Sequence, residues 1–510
     1  MVLVLWDPLA NQETPLPNMP GNVVRVYPAS GATAMLPMTP GNNYTQTILF
    51  CGGSDMPDTA WGNYIMPAIN TWLYPASNDC QRITPEPQDG QQPAYQQDDD
   101  MLEGRSMGQF IILPDQTLLV VNGGLNGTAG YSQTTGQTSS YSQMPYGESL
   151  ASGPVGTPGL YNPNAPAGQR WSNAGFATSN IARLYHSSAM LLADGSVLIA
   201  GSNPNYDVNL TTPFPTTYQA EIFYPPYFNA STRPIVSGVP STISYGGQPF
   251  DLTISANSYS GSSNNAATSA TVVIQRGGFT THAMNMGQRL MQLNNTYTVN
   301  ADGTIVLHVA QAPPNPNLFQ PGPAFLFVTV QGIPSNGTML IVGNGQLGTQ
   351  PTSAASVLPP NVLSASATGS AGGSSSYNNA KSASSNGSSA SSHTGIIVGI
   401  VVAAVAAVGL LGALIGGYLV RRRRASRPVV PSMRGAGAVA AISKSHGFRT
   451  SDSSAFVPLQ QENYSYAWNA SSASLQYHDN DATLSGRPSG LGMSLEYDPY
   501  AATHVPAQFR

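Results

Sequence analysis

Charge is what this sequence has least of. Of 510 residues, 19 are Lys or Arg and 24 are Asp or Glu, so only 8% are charged and the net is -5. That thin, slightly acidic balance excludes a nucleic-acid partner, which would need a basic face. Cysteine is almost as scarce. Cys51 and Cys80 are the only two, and in an oxidising compartment they pair most simply as a disulfide, the alternatives being a thioether or two free thiols. A recognisable leader is also missing. Met1–Pro8 has no basic n-region, its apolar run is short and no cleavage site follows, so it reads as a β-strand entering a turn. Long hydrophobic runs are absent from every part of the chain but one.

That one run is Gly395–Val420, which carries no charged residue and is followed at once by Arg421–Arg424. As a helix it would span roughly 39 Å, enough for a ~30 Å hydrocarbon core. The arginine block predicts a single-pass plasma-membrane protein with its N-terminal side outside and its tail in the cytosol. Gly412 and Gly416 form a GxxxG pair that would let two such helices approach and dimerise weakly. Asn-x-Ser/Thr sequons at Asn43, Asn126, Asn209, Asn229, Asn294, Asn336 and Asn386 fit an extracellular glycoprotein.

What the chain has in quantity is turn formers, 52 Gly and 42 Pro, which predict an all-β fold. Phe110–Gly124 and Met190–Gly201 are copies of one pattern: strand, tight turn around Asp115 or Asp194, strand, then a Gly-bearing exit. Ile48–Gly53 repeats the second strand and its exit. A hairpin repeated with a terminal Gly marks a kelch-type blade, so residues 1–231 are predicted to form a partial β-propeller. Residues 232–350 carry sandwich-type strands such as Phe250–Ile254, Ala270–Ile274, Thr304–Val309 and Phe325–Val330, which suit an immunoglobulin-like module. Residues 351–393 are Ser-, Ala- and Gly-rich and predict a flexible stalk. Residues 421–510 are polar and predict a disordered cytosolic tail.

Three histidines lie within residues 1–350 and two stand out. Arg183-Leu184-Tyr185-His186-Ser187 sits just before a blade hairpin, and His282 follows Arg276-Gly277-Gly278-Phe279 in the second module. Two imidazoles and a phenol suit copper, which favours nitrogen with oxygen in tetragonal geometry. His308, among Ile305, Leu307 and Val309, reads as a strand-surface residue. Asp98-Asp99-Asp100 reads as a solvated loop, Arg105 and Arg289 as loop pins, and the methionines of 284–291 as core.

Taken together, these segments resemble the fungal glyoxal oxidases, copper radical oxidases related to galactose oxidase. Tyr185–Leu192, Arg276–His282, Val23–Pro40 and Ile48–Asp55 carry the resemblance, which covers about residues 1–350. It implies a propeller followed by an immunoglobulin-like domain that sends a His-bearing loop into the propeller axis. It implies one copper ion, with Tyr185 as axial ligand and general base and His186 and His282 as equatorial ligands. The implied reaction oxidises a small aldehyde such as glyoxal or methylglyoxal, as its hydrate, to the acid while O2 becomes H2O2. A second tyrosine cross-linked to a cysteine would supply the radical. The Trp-Tyr motif that carries that tyrosine is missing here, and neither Cys51 nor Cys80 is assigned as its partner. The chain is therefore expected to be amino-truncated, with about four of the family's seven blades, open strand edges and no radical catalysis. The competing expectation is a non-catalytic cell-surface or cell-wall-binding protein.

Overall fold

A computed structural model describes residues 2–56, 69–131, 148–282, 284–365 and 456–458. The chain opens on a hairpin of β1 (Val2–Asp7) and β2 (Gln12–Asn18). An antiparallel four-stranded sheet follows, ordered β3 (Ala32–Met35), β4 (Ile48–Cys51), β5 (Cys80–Ile83), β6 (Tyr95–Gln97). Cys51 and Cys80 face each other across β4 and β5 and form a disulfide.

The next sheet uses β7 (Gln109–Ile112) and β8 (Leu118–Val121). The chain then leaves through a hairpin of β9 (Gly124–Tyr131) and β10 (Ser149–Pro154), and returns with β11 (Gly159–Tyr161) and β12 (Trp171–Ser172). A third sheet is built on β13 (Ser187–Leu191), β14 (Val197–Gly201) and β15 (Ala220–Phe223). The β7/β8 and β13/β14 turns close by one device. Asp115 Oδ1 accepts from Thr117 N and Oγ1 at 3.2 and 2.7 Å, and Asp194 Oδ1 accepts from Ser196 N and Oγ at 2.9 and 2.6 Å. Such an Asx turn satisfies the tip's backbone donors locally and fixes the register of the strands behind it.

Beyond Arg233 lie β16 (Val236–Ser237), β17 (Thr242–Ile243), β18 (Phe250–Ile254), an α-helix (Ser263–Ser269), β19 (Thr271–Arg276), β20 (Phe279–Thr281), β21 (Met284–Met286), β22 (Arg289–Leu293), β23 (Asn295–Val299), β24 (Ile305–Val309), β25 (Gly322–Val330), β26 (Ile333–Pro334) and β27 (Thr338–Val342). Apart from β20 and β21, they make two sheets, β16-β18-β24-β23 and β17-β27-β25-β19-β22, with β26 paired to β25. Alternate side chains such as Leu252, Ile254, Val272, Ile274, Leu307 and Val328 fill one core between them. Each such residue, once buried, contributes about 1.5–3 kcal/mol.

The two regions share side chains. Phe327 and Leu290 belong to the core of the blade-like sheets, and Met38 to the core of the second region. Gln288 binds the edge of β7 through Ile112 N at 3.1 Å and Phe110 O at 3.0 Å.

Several expectations change here. The predominantly β fold is present, and none of the described sheets closes on itself. Residues 351–365 are not the start of a stalk: Ser353 N bonds Tyr245 O, Gly247 N bonds Ala354 O, and Val362 N bonds Tyr297 O. Composition could not show this, because backbone groups make these bonds. Asp98–Asp100 is a solvated loop only at Asp100, which is exposed. Asp98 is buried against Arg170 (2.5 Å) and the Tyr161 hydroxyl (2.9 Å), and Asp99 accepts from Gly168 N and Arg170 N. The outer edge of β15 is occupied by β28 (Phe456–Pro458). Among the described residues no helix is long and apolar enough to cross a membrane. The predicted span at 395–420, its Gly412–Gly416 pair, and the stalk and tail apart from 351–365 and 456–458 lie outside the described residues.

Candidate metal centre

The centre starts from a hairpin that leaves its own sheet. β20 and β21 pair with each other, and β20 joins β13 antiparallel through Ala189 and Thr280. A strand of the second region thus extends a sheet of the first. Gly278 makes the departure possible. Its φ is +53°, and a Cβ there would lie 2.4 Å from Met286 O; only glycine fits so close a backbone approach. The graft is held by Ser188 Oγ donating to Thr280 O (2.6 Å) and Thr280 Oγ1 donating to Ala189 O (3.1 Å). His282 lies at the hairpin tip with φ +53°.

Across from it, Tyr185 and His186 enter β13. His186 has φ +65°, which turns its ring back along Tyr185. The ring centroids of Tyr185 and His186 are 3.8 Å apart, those of His186 and His282 5.0 Å, and those of Tyr185 and His282 4.9 Å. The structure therefore brings together all three residues singled out for copper. His308 stands apart on β24, where it bonds Asp251 (2.7 Å) and Thr298 (3.0 Å), as a strand-surface residue would.

Reasoning from sequence missed three contributors. Asn203 O lies 2.9 Å from His186 Nδ1. A carbonyl only accepts, so Nδ1 carries a proton, and Nε2 is the nitrogen left to offer a lone pair to a metal. Arg183 is buried; it binds Gly201 O, Gln219 O and Glu221 at 2.7, 2.8 and 2.9 Å and so ties the ends of β14 and β15 beneath the site. Tyr27, from the segment before β3, places its hydroxyl 3.4 Å from that of Tyr185. Arg183 and Tyr27 stand inside the segments Arg183–Ser187 and Val23–Pro40, yet nothing in the sequence marks what they or Asn203 do. The methionines are corrected as well: Met291 is core, but Met284 is 57% and Met286 40% exposed, on the hairpin that carries His282.

Burial, and next the Tyr27 phenol, hold the Tyr185 hydroxyl far above the ordinary tyrosine value. Burial, and then the charge of His186, lower the His282 imidazole. Neutral imidazoles and a phenol that ionises only beside a cation are what a metal site needs. Among the described residues no three His, Cys, Asp or Glu side chains converge, so a metal held here must take phenol oxygen with imidazole nitrogen. That donor set fits copper.

Comparison with known proteins places the chain. The family described as "Glyoxal oxidase N-terminus" matches residues 4–227, and "Galactose oxidase-like, Early set domain" matches 233–342. "Aldehyde oxidase GLOX" of Vitis pseudoreticulata is 32% identical over 65% of this chain and 57% of its own length; "Aldehyde oxidase GLOX1" of Arabidopsis thaliana is 32% identical over 66% and 50%. The chain thus spans about half the length of the curated relatives it matches. A solved structure titled "Novel fungal alcohol oxidase with catalytic diversity among the AA5 family, in complex with copper" is similar at TM-score 0.45 and 18% identity, covering 65% of this chain and 57% of that one. The chain therefore carries a glyoxal oxidase N-terminal region followed by a galactose oxidase-like early set domain.

Proposed function

We propose that Tyr185, His186 and His282 hold one copper ion, and that the protein oxidises small aldehydes such as glyoxal or methylglyoxal at a membrane surface. The observation that carries this reading is the convergence of two imidazoles and a phenol from two separately built regions. The aldehyde class is taken from the names of the relatives. In this reading the three sheets on β3, β7 and β13 are blades of a propeller, and residues 395–420 tether it.

The overall reaction balances as an aldehyde hydrate giving two electrons and two protons to O2, which leaves the acid and H2O2. Copper supplies Lewis acidity and one-electron chemistry when bound. Tyr185 takes the substrate's hydroxyl proton on its phenolate oxygen. Asn203 keeps His186 in the tautomer that presents Nε2, and the grafted hairpin keeps His282 opposite.

A specific observation favours a second reading, a non-catalytic surface protein. Cys51 and Cys80, the chain's only cysteines, are bonded to each other, so this chain offers no thiol to a tyrosine cross-link. One experiment separates the two. Purified protein is loaded with Cu(II), its metal content measured, and peroxide release assayed with methylglyoxal. Copper retention that His186→Ala and His282→Ala abolish, together with peroxide release, supports the oxidase. Copper content unchanged in both variants removes the ligand assignment. Copper uptake without peroxide supports the second reading.

The tether has its own test. Strand pairing between β28 and β15 needs both on one side of a bilayer, whereas a single crossing at 395–420 separates them. Protease protection of an epitope placed after residue 458, in intact cells, reports which arrangement holds.

A further inference from the structure

We propose that Arg276, Arg289 and Asn285 form a binding site for a small oxyanion, a carboxylate or a phosphate, at the foot of the β20/β21 hairpin. The site is separate from the proposed copper centre, and its test needs no metal.

Strand pairing creates an excess of positive charge there. Arg276 ends β19, Arg289 opens β22, and the two are direct partners across these antiparallel strands. Like charges so placed repel, and both residues are half-buried, where salt screens them less. Burial lowers the pKa of both guanidiniums, and the charge of Arg276 lowers that of Arg289 further. Arg25, Arg105, Arg170 and Arg183 each meet a carboxylate; among the described residues none meets Arg276 or Arg289. Their partners are neutral. Arg276 Nε and Nη2 donate to Pro323 O and Gln320 O at 3.1 and 3.0 Å, and Arg289 Nη1 donates to Leu318 O and Gln320 Oε1, both at 2.9 Å. These bonds fix the two forks without cancelling their charge.

A second observation points to what is wanted. Both arginines line a cavity of about 250 Å³ whose walls include Asn285 and, from the β3/β4 sheet, Thr33, Met35 and Ile48, but no acidic residue. Asn285 Nδ2 is buried without an acceptor. The cavity is smaller than the ~300–1,000 Å³ of sites for drug-sized ligands, so its occupant is small. Two guanidiniums and an amide N–H are matched by the oxygens of one carboxylate or phosphate. The place of the site gives it a role. Arg276 and Arg289 flank the segment that leaves the second region, and His282 stands at its tip. An anion held between that foot and the β3/β4 sheet steadies the hairpin.

The test uses the full chain in detergent, metal-free, unfolded in urea at fixed ionic strength while chloride is replaced by phosphate or by acetate. The midpoint should rise and saturate with at least one of the two, as for a ligand that binds only the folded chain. The rise should vanish in Arg276→Gln and in Arg289→Gln. These variants also lose carbonyl bonds, so each response is read against the variant's own anion-free midpoint. Phosphate stabilises proteins generally by exclusion from their surface. That effect does not saturate and survives every substitution, so a rise of that kind alone overturns the proposal. Asn285→Asp puts a carboxylate where the amide lacks an acceptor; it should raise the midpoint in chloride and abolish the response to added anion. A saturating rise with phosphate alone assigns the site to phosphates, and one with acetate alone assigns it to carboxylates. No saturating rise with either, or a lower midpoint in Asn285→Asp, overturns the proposal. None of these outcomes depends on whether Tyr185, His186 and His282 hold copper.

Discussion

The sheets on β7/β8 and on β13/β14 are the same object built twice. Gln109 opposes Val121 as Ser188 opposes Ala200, and every further pair keeps that offset. Two residues before Gln109 stands Met107 at φ +61°, and two before Ser188 stands His186 at φ +65°. The β3/β4 sheet repeats the arrangement with Ser30 at φ +51°, two residues before Ala32. Left-handed backbone in a non-glycine residue usually invites a functional explanation. Here it belongs to the blade, since it recurs where the side chain is serine or buried methionine. Chemistry enters only through which side chain occupies the kink.

The exits differ in a second way. After β4 and β8 the turn runs through Gly52-Gly53 and Asn122-Gly123; after β14 it runs through Gly201-Ser202, with Ser202 at φ +139°. Ser202 Oγ accepts from Leu184 N at 3.0 Å, and the next residue, Asn203, orients His186. The β13/β14 copy has given up the easier glycine for a hydroxyl that fixes the approach to Tyr185.

The comparison can be broken hardest at Arg183. Arg183→Met leaves Glu221 buried without its cationic partner, with the Ser179 hydroxyl still donating to it, and should cost about 3–5 kcal/mol, read as a lower urea midpoint with loss of copper uptake. His186→Met writes the β7 residue into the β13 kink. Copper affinity should fall about 100-fold while the urea midpoint of metal-free protein barely moves; a large loss of stability would mean that the two kinks are not equivalent. Gly123→Ala places a Cβ 2.4 Å from Ser106 O and should cost about 2–3 kcal/mol. Ser202→Ala, at the matching position, already tolerates a Cβ and loses only a hydrogen bond, about 1 kcal/mol; equal losses in the two variants would remove the distinction. The smallest effect is expected in acid. Burial opposes ionisation of Asp79, but the Arg25 guanidinium and the Gln97 and Gln81 amides outweigh it and hold the carboxyl below its ordinary 3.8. The unfolded chain therefore binds this proton first, so the contribution is whole above pH 3.8 and is lost as pH falls toward the lowered folded value. Asp79→Asn should flatten the pH dependence of unfolding in that window alone.

Much of the site was legible because its donors carry distinctive side chains beside repeated hairpins. Tyr185, His186 and His282 stand next to turn and glycine signals that fix where they must lie, and Cys51 and Cys80 had only each other in the chain. What stayed hidden belongs to backbone or to distance along the chain. Asn203 acts through its carbonyl, which has no signature in sequence. Tyr27 is separated from Tyr185 by most of the first region, and a tyrosine before a strand is unremarkable until the strands are placed. The continuation of the second region through residue 365 looks like linker by composition, because Ser and Ala make the same backbone bonds as any other residue.

The grafted hairpin gives the centre a property that neither region has alone. His282 reaches Tyr185 only while β20 lies along β13, so any ion shared between them also joins the two regions. Metal affinity and the docking equilibrium are then one quantity measured twice: whatever loosens the β13–β20 seam must weaken the ion, and saturating ion must tighten the seam by RT ln(1 + [M]/Kd).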